Sequence, residues 1–383
     1  MSARKIATWH DAGLIDAATR DRLLAYETAH ARPLALWAVF GIGALAIGLG
    51  LVSVIAANWE DIPGLVRLAV HFALIAGALA ALFLHETRLA EKSPWALEAL
   101  LFVTAALGLT FFGHLGQVYQ TSSPLWKPLA VWLALFAPLL LLMGRSWPSA
   151  FAVLGGSVWT ASEYSAAGTG YGALYDPDLG WAIWLAFVIA APVLFAPLGA
   201  WMRARSPRVD FWRRLEQLAL AYAVAGGSLA AALASFGGYG EGIWSREFAS
   251  LLTCAAVALA AGAGVALARP SVSGRMAGAI IAGAGLALPL AWSVDNLTVP
   301  AALLFFALWI GIAAAALAAQ WRGVFQLAVA AIALRLIILS FELAGDLLTS
   351  GFGLIVAGVM ILGVAFAAVR VSKAYAPREE APA

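Results

Sequence analysis

From Leu34 to Val369 the chain alternates between long apolar runs and short polar interruptions. Twelve of the runs approach the length needed to cross a bilayer, since a hydrocarbon core of about 30 Å takes about 20 helical residues and shorter segments are tolerated. They cover 34–57, 65–84, 95–115, 128–143, 149–166, 180–201, 217–236, 248–267, 276–293, 299–319, 324–343 and 351–369. Proline marks many of the joints, among them Pro63, Pro94, Pro148, Pro207, Pro270 and Pro300. The pattern predicts an all-α fold, a polytopic transmembrane helical bundle of about 12 spans.

The flanking segments read differently. In 1–33, Ile6 and Trp9 lie three apart, Gly13 is placed to close one short helix, and Asp16 to cap a second that runs through Ala31. Leu23, Leu24 and Tyr26 give that second helix an apolar face, so the pair is expected to be a small amphipathic cytoplasmic element packed on the membrane surface or the inner loops. It lacks a third helix and a core of its own, and nucleic-acid binding is not expected. The Arg-rich connection 202–216 divides two six-helix halves, 34–201 and 217–369, and the tail 370–383 has no apolar periodicity and is expected to be disordered.

Charge orients this scheme. Cytoplasmic connections of membrane proteins carry an excess of Lys and Arg. With the N-terminus inside, nineteen of the 23 basic residues fall on inner segments, and Arg67, Lys127 and Arg246 fall outside. Both termini are therefore expected in the cytoplasm. The chain is 63% hydrophobic and 11% charged, against about a quarter charged in soluble domains, so lipid must do the solvating. Thirty-three mostly polar residues precede the first run, which is longer than a signal-peptide core and is expected to remain as an uncleaved helix. The sole cysteine, Cys254, lies in an apolar run, where packing is its expected role.

Two segments carry a likeness to a known family. The N-terminal Trp9-His10-Asp11-Ala12-Gly13-Leu14-Ile15-Asp16 precedes a glycine-studded first run that ends in Asn58-Trp59-Glu60. Further on stands Gly116-Gln117-Val118-Tyr119-Gln120. Over roughly residues 5–145 the chain resembles the bacterial membrane-protein family called domain of unknown function number 2157. The resemblance implies a bacterial inner-membrane location and brings no catalytic residues or cofactor with it.

Familiar enzyme motifs are missing: the sequence has no G-x-x-x-x-G-K-[ST], H-E-x-x-H, C-x-x-C or G-x-S-x-G. Gly168-Thr169-Gly170-Tyr171-Gly172 follows no strand and reads as a loop rather than a phosphate cradle. His71, His114 and Glu163 could in principle hold zinc, but no local ligand spacing supports that, and neither metal nor cofactor is expected.

The remaining chemistry lies in polar groups within or beside the spans. An ionisable group at mid-bilayer costs at least about 2.5 kcal/mol on insertion scales, so such groups turn inward and pair. Arg335 is the clearest case; Glu342, Glu163 and Asp295 are candidate partners. The rise of about 10 Å from Arg335 to Glu342 favours a carboxylate from another helix. Thr110, His114 and Gln117 fall on one helical face, and His71, Glu163, Asn58 and Glu60 are expected at similar, outer depth. Asn58, Glu60, His114, Gln117, Glu163 and Arg335 are thus the candidate lining of one outward-facing polar cavity. The expected reading is a transporter-like or ligand-binding protein for an unknown polar solute, with His114 as a proton carrier. A non-catalytic scaffold or envelope sensor with a membrane partner is the first alternative. An intramembrane enzyme on a lipid-linked substrate is the second, although no nucleophile and base pair can be named for it.

Overall fold

The computed structural model describes residues 3–29, 62–92, 94–169, 178–237, 245–343 and 351–375. The chain divides into two compact units, Met1–Arg67 and Leu68–Ala383. Every element among the described residues is helical. The predicted first span, 34–57, and the last eight residues lie outside the described residues.

In the first unit, α1 (Ala3–Asp11) and α2 (Ala17–Ala29) pack on each other. Gly13 closes α1 with a φ of 70°. Its N–H donates to His10 and the N–H of Leu14 to Trp9, the paired bonds of a left-handed helix terminus that favours glycine. The Asp16 side chain accepts from the Thr19 N–H at 2.8 Å and so caps α2. Hydrogen bonding from Thr19 holds the Asp16 carboxyl below its ordinary value. Both ends were legible in the sequence.

The second unit is built from helices long enough to cross a membrane. They are α3 (Gly64–Lys92, whose first residues belong to the first unit), α4 (Pro94–Tyr119), α5 (Trp126–Met143), α6 (Trp147–Thr169), α7 (Leu179–Ala190) continuing into α8 (Phe195–Arg203), α9 (Val209–Leu233), α10 (Arg246–Ala268), α11 (Val272–Ser293), α12 (Thr298–Ala318), α13 (Arg322–Leu343) and α14 (Gly351–Tyr375). By length and composition, ten segments among the described residues are apolar enough to span, counting Leu179–Arg203 as one. Helix α6 is long but is not among the ten; Ser157, Thr160, Ser162 and Glu163 dilute its apolar content.

Three boundaries differ from the sequence expectation. Helix α9 starts at Val209, so 209–216 is helix rather than part of a connecting loop. Its first turns are amphipathic: Phe211, Trp212 and Leu215 are buried while Asp210 is exposed. The cluster of charges therefore marks a helix end, not a break. The last helix runs on to Tyr375, six residues past the expected end, with Lys373 suitably placed at its negative C-terminal pole. The sixth span is a helix broken at Ala191–Leu194 by a 3-10 turn containing Pro192. Proline offers no N–H to continue the ladder, and the Tyr222 hydroxyl donates to the Ile189 carbonyl at this break, at 2.8 Å.

Helix α9 lies at the centre, in contact with α6, α8, α11 and α12. Among the described residues the most extensive helix pair is α10 with α11. There Gly262 and Gly278 face each other so closely that a Cβ on Gly262 would stand 2.5 Å from the Gly278 carbonyl oxygen, and the reverse contact would be tighter still. Gly274 and Gly278 make a G-x-x-x-G step on α11, the spacing that lets helix backbones approach within a membrane.

Candidate functional site

Arg335 lies thirteen residues into α13, about 20 Å along the helix from Arg322, and is only 3% exposed. Its Nη1 donates to Glu342 Oε1 at 2.7 Å, and its Nη2 donates to the Ser235 hydroxyl at 2.6 Å. The expectation of a partner from another helix is corrected in part, since the carboxylate comes from α13 itself. Residues seven apart differ by about 20° around a helix, and side chains lean toward its N-terminus. Glu342 therefore leans back along the face that carries Arg335, and two long side chains close the rise. Another segment supplies the serine instead. Ser235 stands in the turn after α9, which is held by the Asn296 N–H donating to the Ala234 carbonyl at 2.8 Å.

The pair is incompletely satisfied. Arg335 Nε and Glu342 Oε2 are buried without a hydrogen-bond partner among the described residues. A guanidinium has five N–H groups and a carboxylate can accept about four bonds, so the two bonds made leave one guanidinium nitrogen and one carboxylate oxygen without any partner among the described residues. Leaving a buried polar group unsatisfied costs about 1–3 kcal/mol, more for charged groups.

The other sequence candidates stand in separate contacts. His114 on α4 meets His71 on α3, Nδ1 to Nδ1, at 3.2 Å. His71 Nε2 lies 3.0 Å from the Leu107 carbonyl, which can only accept. In the neutral pair His71 therefore carries its proton on Nε2 and accepts at Nδ1 from His114. The two rings can hold one further proton without losing this bond; two would set N–H groups against each other. Phe111 packs edge-on against His71 at 5.4 Å. Gln117 has an exposed side chain, and its carbonyl accepts from the Gln120 side chain at 2.9 Å. Gln120 closes α4 with a φ of 52°, while the Thr121 N–H donates to the Gly116 carbonyl. The segment Gly116–Gln120 is thus a helix terminus. Glu163 accepts from Trp159 Nε1 at 3.1 Å, beside a cluster in which Tyr164 meets Trp126, Trp181 and Trp184. Asn58 and Glu60 lie outside the described residues. No group of three or more potential metal ligands occurs among the described residues.

An apolar concavity of about 370 Å³ between α11 and α12 is lined by Ala279, Gly283 and Ala287 on one side and Ala307, Gly311 and Ala315 on the other. None of the candidate polar residues lines it.

Two buried carboxylates escaped the sequence reading of the site. At the basic end of the helices, Glu98 on α4 is 2% exposed and accepts backbone N–H bonds from Arg145, Ser146 and Ser149 at 3.0–3.3 Å. It thereby caps α6 from a neighbouring helix, where the helix dipole favours an anion. Glu216 on α9 is 3% exposed and takes Arg203 at 2.8 Å and Arg269 at 2.5 Å. Its position on the stripe of Trp212 and Ala219 was the available signal. Ser235 gave no comparable signal.

Buried ion pairs inside a bundle of apolar, membrane-length helices define a multi-pass helical membrane protein. Residues 7–149 match the model of the family described as "Predicted membrane protein (DUF2157)". No curated protein and no solved structure matches the chain.

Proposed function

We propose that this membrane protein binds a small polar solute, in the manner of a transporter, at Arg335, Glu342 and Ser235, and that it resides in a bacterial inner membrane with both termini in the cytoplasm. The observation that carries the reading is the buried pair with a spare donor, Arg335 Nε, and a spare acceptor, Glu342 Oε2. A pair serving only to join helices gains most when every hydrogen bond is made. The net charge of the pair is zero, which favours a neutral or zwitterionic solute over the anion that Arg335 alone suggests. His71 and His114 form a second polar contact able to hold a proton.

The test is a thermal-shift screen of the purified protein against amino acids, sugars, polyols and carboxylates. A neutral or zwitterionic solute should raise the Tm of the native protein and leave an Arg335→Gln/Glu342→Gln variant unmoved. The double substitution removes both charges together, so no lone buried ion remains. Solutes that act equally on both proteins, or no active solute across the panel, count against the site. A scaffold reading is favoured by one other observation: Leu14, in the turn after α1, is 72% exposed and could meet a partner.

A further inference from the structure

At the basic end of the second unit, α5 and α6 are joined by residues 144–146. Only glycine fits at 144, where a Cβ would stand 2.7 Å from the Ser149 Cβ and 2.8 Å from the Phe211 ring. The tight connection brings its backbone onto the start of α9. Arg208, the residue before α9, donates from Nη1 to the Gly144 carbonyl at 3.0 Å. Arg214, further along α9, lies over the Trp147 ring at 4.8 Å. Arg208 is thus held on the connection, Arg214 on the first residue after it, and Arg145 belongs to the connection itself.

Among the described residues the nearby acids offset them only in part, Glu86 acting on both Arg145 and Arg208. Glu98 is occupied by backbone N–H groups, Glu216 by Arg203 and Arg269, and Asp210 by Arg213 at 2.5 Å. Glu86 stands 3.7 Å from Arg145, but both side chains are about 40% exposed, and exposed pairs of this kind contribute little. Burial, and after it the positive charge of Arg145, holds Arg208 below the usual arginine value. The Nε groups of Arg145 and Arg214 have no hydrogen-bond partner among the described residues.

Next to these cations the surface is apolar. Trp147 and Phe151, one turn apart on α6, and Leu142 near the end of α5 are all exposed. Tryptophan at a span end lies at headgroup depth, and guanidinium groups recognise phosphate with directional bonds. From this juxtaposition we infer that Arg145, Arg208 and Arg214 form a binding site for the headgroup phosphate of an anionic phospholipid, whose acyl chains lie along Trp147, Phe151 and Leu142. A free phosphate would satisfy the arginines but leave the flank uncovered, which is why a lipid is the occupant chosen. The site is independent of Arg335.

Native mass spectrometry of the full-length protein, titrated in neutral detergent with phosphatidylglycerol or phosphatidylcholine, tests this. Phosphatidylglycerol should be retained preferentially, and Arg145→Gln/Arg214→Gln should lower its affinity on the order of thirtyfold, from about 1 kcal/mol for each basic group near the surface. Arg208 is left intact because it also holds Gly144. Arg275→Gln, which removes an exposed charge elsewhere, should leave retention unchanged. Arg145→Lys/Arg214→Lys should keep most of the preference, and it provides the folded comparison if the glutamine variant does not fold. Equal retention of the two lipids, full retention by the glutamine variant, an equal loss in Arg275→Gln, or displacement of the lipid by millimolar inorganic phosphate would each overturn the assignment.

Discussion

Helices α4, α5 and α6 meet through aromatic rings seated on glycines, whereas α10 and α11 meet backbone to backbone. In the first region the Phe136 ring occupies the space where a Cβ on Gly108 would stand, and Trp132 sits 2.5 Å from the Cβ position of Gly156. Trp132 also donates from Nε1 to the Ala105 carbonyl at 2.7 Å, fixing the ring. In the second region the nearest neighbour of Gly262 and of Gly278 is the other helix's carbonyl. Lipid tails are as apolar as leucine, so neither contact can draw on a hydrophobic driving force between helices; close packing must hold both. The difference lies in what can yield. A ring can turn aside, and a backbone carbonyl committed to its own helix cannot.

The largest expected effect tests the rigid region. Gly278→Val or Gly262→Val should cost about 3 kcal/mol or more, because added atoms meet backbone and the whole helix must move. Denaturant titration in mixed micelles would measure it. A loss under about 1 kcal/mol would show that α10 and α11 can separate freely, and the comparison would collapse.

The adjustable region should respond less steeply and in a coupled way. Phe136→Ala is expected to cost about 3 kcal/mol for the void it leaves, while Gly108→Ala alone should cost about 1–2 kcal/mol as the ring shifts. Combined, the two should cost clearly less than their sum, since the added methyl enters vacated space. Strict additivity in a double-mutant cycle would mean that ring and glycine do not share that space.

The smallest effect is expected where the regions behave alike. Gln120 and Gln320 both close helices at positive φ, 52° and 59°, and each returns a side-chain amide to the carbonyl three residues back. The next N–H then donates to the carbonyl five residues before it, from Thr121 to Gly116 and from Trp321 to Ala316. Left-handed backbone costs a residue with a Cβ about 1–2 kcal/mol, and a glycine nothing comparable. Gln120→Gly and Gln320→Gly should therefore leave Tm nearly unchanged or slightly raised, and Gln→Val at either position should lower it. Opposite responses at the two positions would show that the caps are alike only in shape.

Much of the fold was legible because a bilayer demands long apolar helices and turns demand particular residues. Gly13 and Asp16 announced their helix ends through conformational freedom and a capping carboxylate. Charge was a poorer guide to boundaries: the arginines near 210 were read as loop, yet Arg213 and Arg214 lie on a helix that also buries Phe211 and Trp212. Of the candidate site, Arg335 was recognisable from its cost in lipid. Its serine partner was not, because a serine one hundred positions away has no signature until the turn after α9 meets α13. The contact between His71 and His114 was equally hidden, since no spacing rule links residues on two different helices.

The sequence by itself determined a helical membrane protein, its apolar segments, and the presence of at least one ion that must be paired. Those properties follow from each residue's own transfer cost and backbone preference, which act locally. Tertiary structure alone decided that Arg335 takes Glu342 and Ser235, that Glu98 caps α6, and that Glu216 holds two arginines. Such choices depend on which helix faces bring their polar groups within hydrogen-bond reach. Hydrogen bonds and close packing act over a few ångströms, so their partners are fixed only when the helices are in place.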